Sequence, residues 1–409
     1  MNGPRSVDPG DARLRRVVTA AVGRAFEDLS KPVRKNLANL TIAFLAVLGA
    51  ARSGNGRISL GAIYRVLPTN GTARARKKRL YRFLENERFD PRGVTGGLAR
   101  MAFGERGAGL WPVVFDQTKS GTSQALFAGV PFEGRTIPLS VYTFEYPWKD
   151  RFLSQNDLEE SFLNDVDAAL PNGVRAVFIG DRGYARAALV RLCSHMNRLF
   201  VIRGRGGVCV EHGKRRCKLK NLPPGIGSAV RYRDVRYQSN AKVPLDVIAF
   251  RDPAFDEPWW LLVPAGMEDV LPTETVVALY RERMQVEQTF RDFKTHMGLR
   301  GLKLKVRIPD RTGRLLLGFL VAYCLALAVG TSSEAKAARR DLEIPRKKPR
   351  HGTTRTLSVL FLAMLMLSHR RWRRKANLCL VALAGRAGTK RSVMSRRPLD
   401  VSERFAKAA

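Results

Sequence analysis

Residues 280–299 (YRERMQVEQTFRDFKTHMGL) predict one helix, because they contain no proline and no glycine before Gly298. At about 100° per residue, one narrow stripe of that helix carries Tyr280, Arg283, Glu287 and Lys294. A neighbouring stripe is apolar and predicts the buried face: Val286, Phe290, Phe293 and Met297. A solvated helix usually spreads its charges over a wide outer face. A phenol, a carboxylate and two cations aligned beside the buried face therefore predict a functional site.

Two aspartates could join Glu287 at such a site. Asp116 ends the apolar run WPVVFD and Asp181 ends the run RAVFIGD. A carboxylate at the end of a strand lies exposed at the end of the sheet. Three converging carboxylates repel one another unless a cation binds, and oxygen ligands suit Mg²⁺ or Mn²⁺. Two such ions ~4 Å apart can activate water and stabilise the leaving oxygen in attack on a phosphodiester. Taken singly, either aspartate could instead cap a turn or the next helix.

The elements that must position these side chains follow the order β-β-β-α-β-α-β, starting at Trp111 and followed later by the helix of Glu287. This order predicts an α/β fold with a mixed sheet, because short turns join the first three strands. Residues 204–270 alternate in hydrophobicity and are rich in Gly, Pro, Val, Tyr and Arg, which predicts a small β-rich insertion. Residues 338–355 (ARRDLEIPRKKPRHGTTR) predict an exposed linker.

The charge of the chain is unusual, with 72 Lys+Arg against 36 Asp+Glu and a net charge of +36. Such a field favours a polyanion as partner. The ends carry most of the excess: residues 1–110 hold 21 basic and 8 acidic side chains, and residues 331–409 hold 20 and 5. Residues 73–90 predict a basic amphipathic helix. We expect it to contact DNA through Lys77, Lys78, Arg79 and Arg82, and the alternative is an ordinary solvated face.

Several classes of protein are disfavoured. The five scattered cysteines form no CxxC pair and no Cys/His cluster with zinc spacing, which predicts free thiols in a reducing compartment. The N-terminus lacks the apolar core of a secretory signal. The uncharged runs at 315–330 and 356–367 are shorter than the ~20 residues of a membrane span, so buried helices are expected. Nothing resembles a GxxxxGK[ST] phosphate loop, so no nucleotide cofactor is expected.

The spacing Tyr280, Arg283, Glu287, Lys294 resembles the Y-(2)-R-(3)-E-(6)-K signature of the cut-and-paste transposases of bacterial insertion sequences, in the group named after insertion sequence four. All four positions match without a gap. The order of elements, with a β-rich insertion before the Glu helix, is similar to the ribonuclease-H-like fold of these enzymes. The similarity covers about residues 111–303. The N-terminal helical region resembles the family only in character, and the tail hardly at all.

The resemblance implies an Asp-Asp-Glu metal triad formed by Asp116, Asp181 and Glu287, holding two Mg²⁺ or Mn²⁺ ions. It also implies that the other three residues of the signature hold phosphates near the cut: Tyr280, Arg283 and Lys294. Their chemistry agrees, since Arg offers a planar fork and Lys a point charge to phosphate.

Further DNA contacts are implied outside the signature. Arg203, at the end of FVIR, lies where the family often has a phosphate-binding Arg; an ordinary surface Arg is the alternative. Either Trp259 or Trp260 of PWWLLV would stack on a base flipped out at a hairpin, and alternation lets only one of them face the DNA. Aromatic pairs in strands are more often core. Lys119 departs from the family pattern, and could serve DNA or weaken metal binding.

The resemblance implies a DNA transposase that nicks transposon ends and transfers the freed 3′-hydroxyl into target DNA, through a hairpin if the family's hairpin route applies. Its partner is double-stranded DNA, bound by a homodimer, in the cytoplasm of a bacterium and without a membrane. The alternatives are a metal-dependent nuclease without strand transfer and a non-catalytic DNA-binding protein. The expected parts are a helical DNA-binding region, a catalytic domain in two segments, a β-rich insertion and a basic helical tail: 1–107, 108–203 with 271–330, 204–270, and 331–409.

Overall fold

The structure is a computed structural model that describes most of the chain: residues 11–50, 58–103, 108–120, 123–146, 154–238, 240–253, 256–296, 308–349 and 353–386. Within these ranges, strands from the middle of the chain form one sheet, and helices from both ends pack together beside it.

The strands, in chain order, are β1 Gly109–Ser120, β2 Ser123–Phe132, β3 Arg135–Glu145, β4 Val174–Gly180, β5 Leu199–Arg203, β6 Cys209–His212, β7 Arg215–Lys218, β8 Gly225–Ile226, β9 Val230–Tyr237, β10 Val243–Arg251 and β11 Trp259–Pro264. The helices are α1 Ala12–Ala25, α2 Lys31–Ala50, α3 Leu60–Arg65, α4 Ala73–Leu84, α5 Thr95–Phe103, α6 Gln155–Ala168, α7 Ala187–His195, α8 Thr273–Glu282, α9 Met284–Arg291, α10 Pro309–Gly330, α11 Ser333–Leu342, α12 Val359–Ser368 and α13 Arg370–Arg386.

The sheet has the strand order β3-β2-β1-β4-β5-β11-β10-β9-β6-β7, and β8 pairs with β10. Strands β1, β4 and β5 are parallel, whereas β2 and β3 are antiparallel neighbours of β1. The β2–β3 turn holds Glu133 and Gly134 at positive φ, the backbone of a tight two-residue hairpin. The predicted mixed sheet and the order β1-β2-β3-α6-β4-α7-β5 are confirmed.

The segment 204–270 is rich in strands, as predicted, but its strands do not form a sheet of their own. Strand β11 pairs with β5, and β10 pairs with β11, so this segment continues the central sheet sideways. Local alternation could predict these strands, but pairing with the open edge of β5 joins residues about sixty positions apart and leaves no local pattern.

Helix α10 is the core of the helical layer. It packs against α2, α12 and strand β3. Among the described residues it is the one helix long and apolar enough to cross a membrane, yet 94% of its most apolar window is buried inside the protein. The prediction of a buried helix at 315–330 is therefore confirmed. Arg314, buried in this helix, donates to the carbonyls of Phe89 and Leu84 and so fixes the end of α4.

The prediction of one continuous helix at 280–299 is wrong. Helix α8 ends and α9 begins at Arg283, where the N–H of Arg283 donates to Tyr280 and that of Val286 donates to Arg283. These i→i−3 bonds tighten the helix by part of a turn. After α9, residues 292–296 form a π-turn. Residues 297–307 lie outside the described residues, and Met297 with them.

The π-turn at the end of α9 has a packing cause. It places the ring of Phe293 against Phe319 and Tyr323 of α10, with ring centroids 5.0 and 4.9 Å apart. Next to it, the carboxylate of Asp292 pairs with Arg135 at the start of β3. The described part of the predicted apolar stripe is buried, as expected: Val286, Phe290 and Phe293.

Candidate active site

Asp116 and Asp181 lie side by side because of the register between two parallel strands. The pairing of β1 with β4 runs from Gly109 opposite Val174 to Val114 opposite Ile179. Continued by two residues, the same register sets Asp116 opposite Asp181, on strands that lie about 4.8 Å apart. Asp116 does not end its strand as predicted, because β1 runs on against β2; it lies where the partner β4 ends.

One guanidinium joins the carboxylates. Arg283 Nη1 lies 3.5 Å from Asp116 Oδ2, and its Nη2 lies 2.6 Å from Glu287 Oε1. The Tyr280 hydroxyl donates to Asp181 Oδ1 over 3.4 Å, and the Arg283 group lies 5.7 Å from the centre of the Tyr280 ring. Tyr280 and Glu287 of the stripe and the two strand residues therefore meet around Arg283, whose side chain is only 7% exposed.

Asp116 has the most strongly perturbed carboxyl of this cluster. Burial raises its pKa from the usual 3.8 to about 6, against the lowering effect of the Gln117 N–H and of Arg283. The negative charges of Asp181 and Glu287 raise the pKa of Asp116 further. The Gln117 N–H donates to Asp116 Oδ1 over 2.7 Å. The ionised form of Asp116 is therefore held at a cost in stability.

A divalent ion would have to replace the Arg283 guanidinium. Among the described residues, no three His, Cys, Asp or Glu side chains are grouped closely enough to hold a metal as they stand. Their chemistry fits one nonetheless, since carboxylate oxygens are the ligands Mg²⁺ and Mn²⁺ prefer. The Arg283 Nε is buried with no hydrogen-bond partner in the described structure, so this cation is not fully satisfied where it lies.

Arg203 and Tyr280 form the wall of the site on the β5 side. Arg203 Nη2 lies 3.0 Å from Glu257 Oε2 and donates to the carbonyl of Pro258 over 3.4 Å. Its side chain is 12% exposed, which differs from the ordinary surface Arg considered above. Burial raises the pKa of Tyr280 to about 12, with Arg283 opposing. The phenol therefore stays protonated and can donate its O–H at neutral pH.

The two tryptophans point to opposite faces of β11, as alternation requires. Trp259 is half-buried and lies edge-on to Tyr280, with ring centroids 5.0 Å apart. Trp260 is buried, and its indole Nε1 donates to the carbonyl of Leu222 over 3.0 Å. Trp259 is thus the tryptophan on the side of the carboxylates, and Trp260 anchors the 204–270 segment.

The other predicted site residues are Lys119, Lys294 and four basic residues of α4. Lys119 is exposed three residues beyond Asp116 on β1. Lys294 lies in the π-turn, with its ammonium 6.0 Å from the centre of the Phe290 ring, so the turn takes it off the regular stripe. The basic residues of α4 are exposed, and that helix packs on α2, α3 and α10: Lys77, Lys78, Arg79 and Arg82.

Sequence reasoning missed a polar network behind Asp116. The Gln155 side-chain amide donates to Gln117 Oε1 and Glu159 Oε1, over 3.1 and 2.8 Å. Glu159 is buried and paired with Arg186, and burial raises the pKa of Glu159 while Arg186 opposes. The one signal for it is a glutamate inside the apolar stripe of α6, which a satisfied buried carboxylate explains.

Comparison with known proteins gives one family. Residues 156–325 match the family described as Transposase DDE domain. This region carries two of the three clustered carboxylates and all four residues of the helix stripe. Domains of this family use divalent metal ions. No curated protein matches the chain.

The chain is also similar to a cryo-EM structure of a piggyBac transposase synaptic complex with hairpin DNA. The identity is 11% over 98% of this chain and 89% of the other, with a TM-score of 0.42. A likeness at this level identifies no site residue.

Proposed function

We propose that this protein is a DNA transposase of the insertion-sequence-four-like group, with Asp116, Asp181 and Glu287 as its metal triad. The observation that carries the proposal is the Arg283 guanidinium, which bridges Asp116 and Glu287 beside Asp181. Residues distant in sequence meet there around a single cation. The match of 156–325 to the Transposase DDE domain and the strand order β3-β2-β1-β4-β5, taken here as ribonuclease-H-like, support it.

The residues of the site would divide the work as follows. The three carboxylates hold two Mg²⁺ or Mn²⁺ ions, which would activate the attacking oxygen and stabilise the leaving oxygen when bound. Arg283, released from the carboxylates, offers its fork to a phosphate near the cut. The Tyr280 hydroxyl donates a hydrogen bond next to Asp181, and Arg203 places a second cation beside Tyr280. Lys294, in the π-turn that follows α9, would contact the DNA strand beyond that turn.

The reaction is proposed to run from nicking at the transposon ends to strand transfer by the 3′-hydroxyl, with a hairpin as intermediate where Trp259 captures a flipped base. Two DNA ends must be joined, so we propose a homodimer on double-stranded DNA, in a bacterial cytoplasm. The proposed domains are the four predicted from the sequence. Helix α4 and Lys119 are proposed to contact DNA.

The test is cleavage and joining by the full-length protein on DNA that carries both flanks of its own gene, with Mg²⁺ or Mn²⁺. Glu287→Gln should abolish cutting and leave DNA binding intact or stronger, because it removes a metal ligand and a negative charge near phosphate. Glu274→Gln is the matched control, since Glu274 is an exposed carboxylate in the first turn of α8 and should cut as the wild type does.

Three results would contradict the proposal in different ways. A Glu287→Gln protein that cuts at near the wild-type rate would refute the triad. Wild-type nicking without any joined product would identify a nuclease. Binding without nicking by the wild type would identify a DNA-binding protein that has lost its chemistry.

A further inference from the structure

A basic groove opens one helical turn from Glu287, on the side of the tail. It has a volume of about 610 Å³ and lies between α9, the β2–β3 turn and residues 353–359. Among the described residues, one acidic side chain, Glu133, and five arginines line it: Arg135, Arg291, Arg339, Arg346 and Arg355. None of these arginines was singled out by the sequence.

The far wall of the groove is the linker that the sequence predicted: residues 344–349 and 353–355 lie outside the helices and are mostly exposed, whereas 338–342 belong to α11. Glu343 closes it: its Oε1 accepts the N–H groups of Thr356 and Leu357, both at 2.6 Å, and its Oε2 lies 2.8 Å from Arg339 Nη1. The side chain of Glu343 is only 5% exposed. The Arg346 N–H donates to the carbonyl of Thr354 over 2.8 Å. A buried carboxylate thus ties the end of α11 to residues 356 and 357, across the basic segment.

The groove carries positive charge that the described residues do not fully neutralise. Arg135 pairs with Asp292, and Arg339 pairs with Glu343. By contrast, the exposed side chains of Arg291 and Arg355 have no hydrogen bond or ion pair to any residue that the structure describes. Unpaired guanidinium groups in a concave surface attract a polyanion, and their planar forks match phosphate oxygens.

The position of the groove selects DNA as the occupant. Arg291 follows Glu287 by four residues on α9, which is about 6 Å along the helix and nearly the same face. We propose that the DNA cut at the triad continues into this groove, where Arg291 and Arg355 bind its backbone phosphates. This inference rests on the proposed function. It assigns to the tail a phosphate-binding role, independent of DNA sequence, on the duplex next to the cut.

The test is equilibrium binding of a fluorescent DNA duplex to the full-length protein at several KCl concentrations. Arg291→Ala and Arg355→Ala should each weaken binding about tenfold at fixed salt, because a charge-assisted contact is lost. Each should also make the slope of log K against log salt shallower by about 1, and the double variant by about 2.

Arg175→Ala is the matched control. Arg175 is exposed near the start of β4, whereas Asp181 follows the end of that strand. The variant therefore removes one charge at the opposite end of β4 from the site. It should leave affinity and slope unchanged.

Both groove side chains are exposed, so the variants should melt within a few degrees of the wild type. Arg291→Glu, which reverses the charge, should weaken binding more than Arg291→Ala.

Failure of this inference and failure of the proposed function give different results. If both groove variants bind like Arg175→Ala while the wild type binds and cuts DNA, the groove is not a DNA site and the transposase proposal stands. If the wild type neither binds nor cuts DNA, both fall. An equal loss in Arg175→Ala would mean that only net charge matters, which also overturns the groove.

Discussion

Replacing Asp116 by Asn should stabilise the protein in a pH-dependent way. The pKa of Asp116 rises from 3.8 to about 6 on folding, chiefly because the carboxyl is buried. The folded protein therefore holds the proton more tightly than the unfolded chain, and the stability of the wild type falls as the pH rises from about 4 to 6. At ~1.4 kcal/mol per pKa unit, ionised Asp116 costs roughly 3 kcal/mol at pH 8. The asparagine side chain of the variant stays neutral and avoids this cost.

The measurement is urea unfolding between pH 4 and pH 8 in the presence of a chelator. The free energy of unfolding of Asp116→Asn should exceed that of the wild type by little near pH 4 and by roughly 3 kcal/mol at pH 8. Asp256→Asn, an exposed aspartate, should match the wild type throughout. A difference that does not change with pH, or a less stable Asp116→Asn protein at pH 8, would refute the electrostatic account of the site.

Two further pairs of variants test neighbouring residues. Trp259→Ala should impair hairpin formation while sparing the first nick, since stacking of ~1–3 kcal/mol is lost only after one strand is cut; Trp260→Ala should instead lower the unfolding free energy by about 3–5 kcal/mol, because a buried ring is removed. Equal loss of nicking in both would contradict this division. Gly180→Ala should slow metal-dependent cutting, because the new Cβ would lie 2.8 Å from the Phe115 ring beside Asp116. The new Cβ of Gly183→Ala meets no described atom within 4 Å, so this variant should cut normally; cutting by Gly180→Ala at the wild-type rate would show that this packing does not position the site.

Much of the site is readable from the sequence because its signals are local. Strand-like runs ending at Asp116 and Asp181, and the periodicity around Glu287, required no knowledge of distant contacts. The periodicity also predicted which side of that helix is buried. It could not predict the break at Arg283, because the tightening depends on hydrogen bonds and packing against the sheet rather than on a proline or glycine.

Other features depend on non-local pairing and were beyond the sequence. The role foreseen for Arg283 was phosphate binding, whereas in the structure its guanidinium pairs with Asp116 and Glu287, which the fold brings next to it. The segment 338–355 reads as a linker because it is polar and rich in cations. Its described residues after α11 are mostly exposed, as predicted, but no local pattern indicates that the Glu343 carboxylate accepts hydrogen bonds from residues more than ten positions away.

The first and last described helices pack together, and this affects how the protein folds during synthesis. The Asn377 side-chain amide donates to Asp11 Oδ2 over 3.0 Å, and α1 packs on α13. Helices α1 and α2 pack on each other, but their further partners α10, α12 and α13 are synthesised only near the end of the chain. Such long-range contacts slow folding and leave apolar surface open to aggregation in the meantime. A fragment that stops before α10 should therefore be insoluble, and the N-terminal helices should not be obtainable as a folded piece.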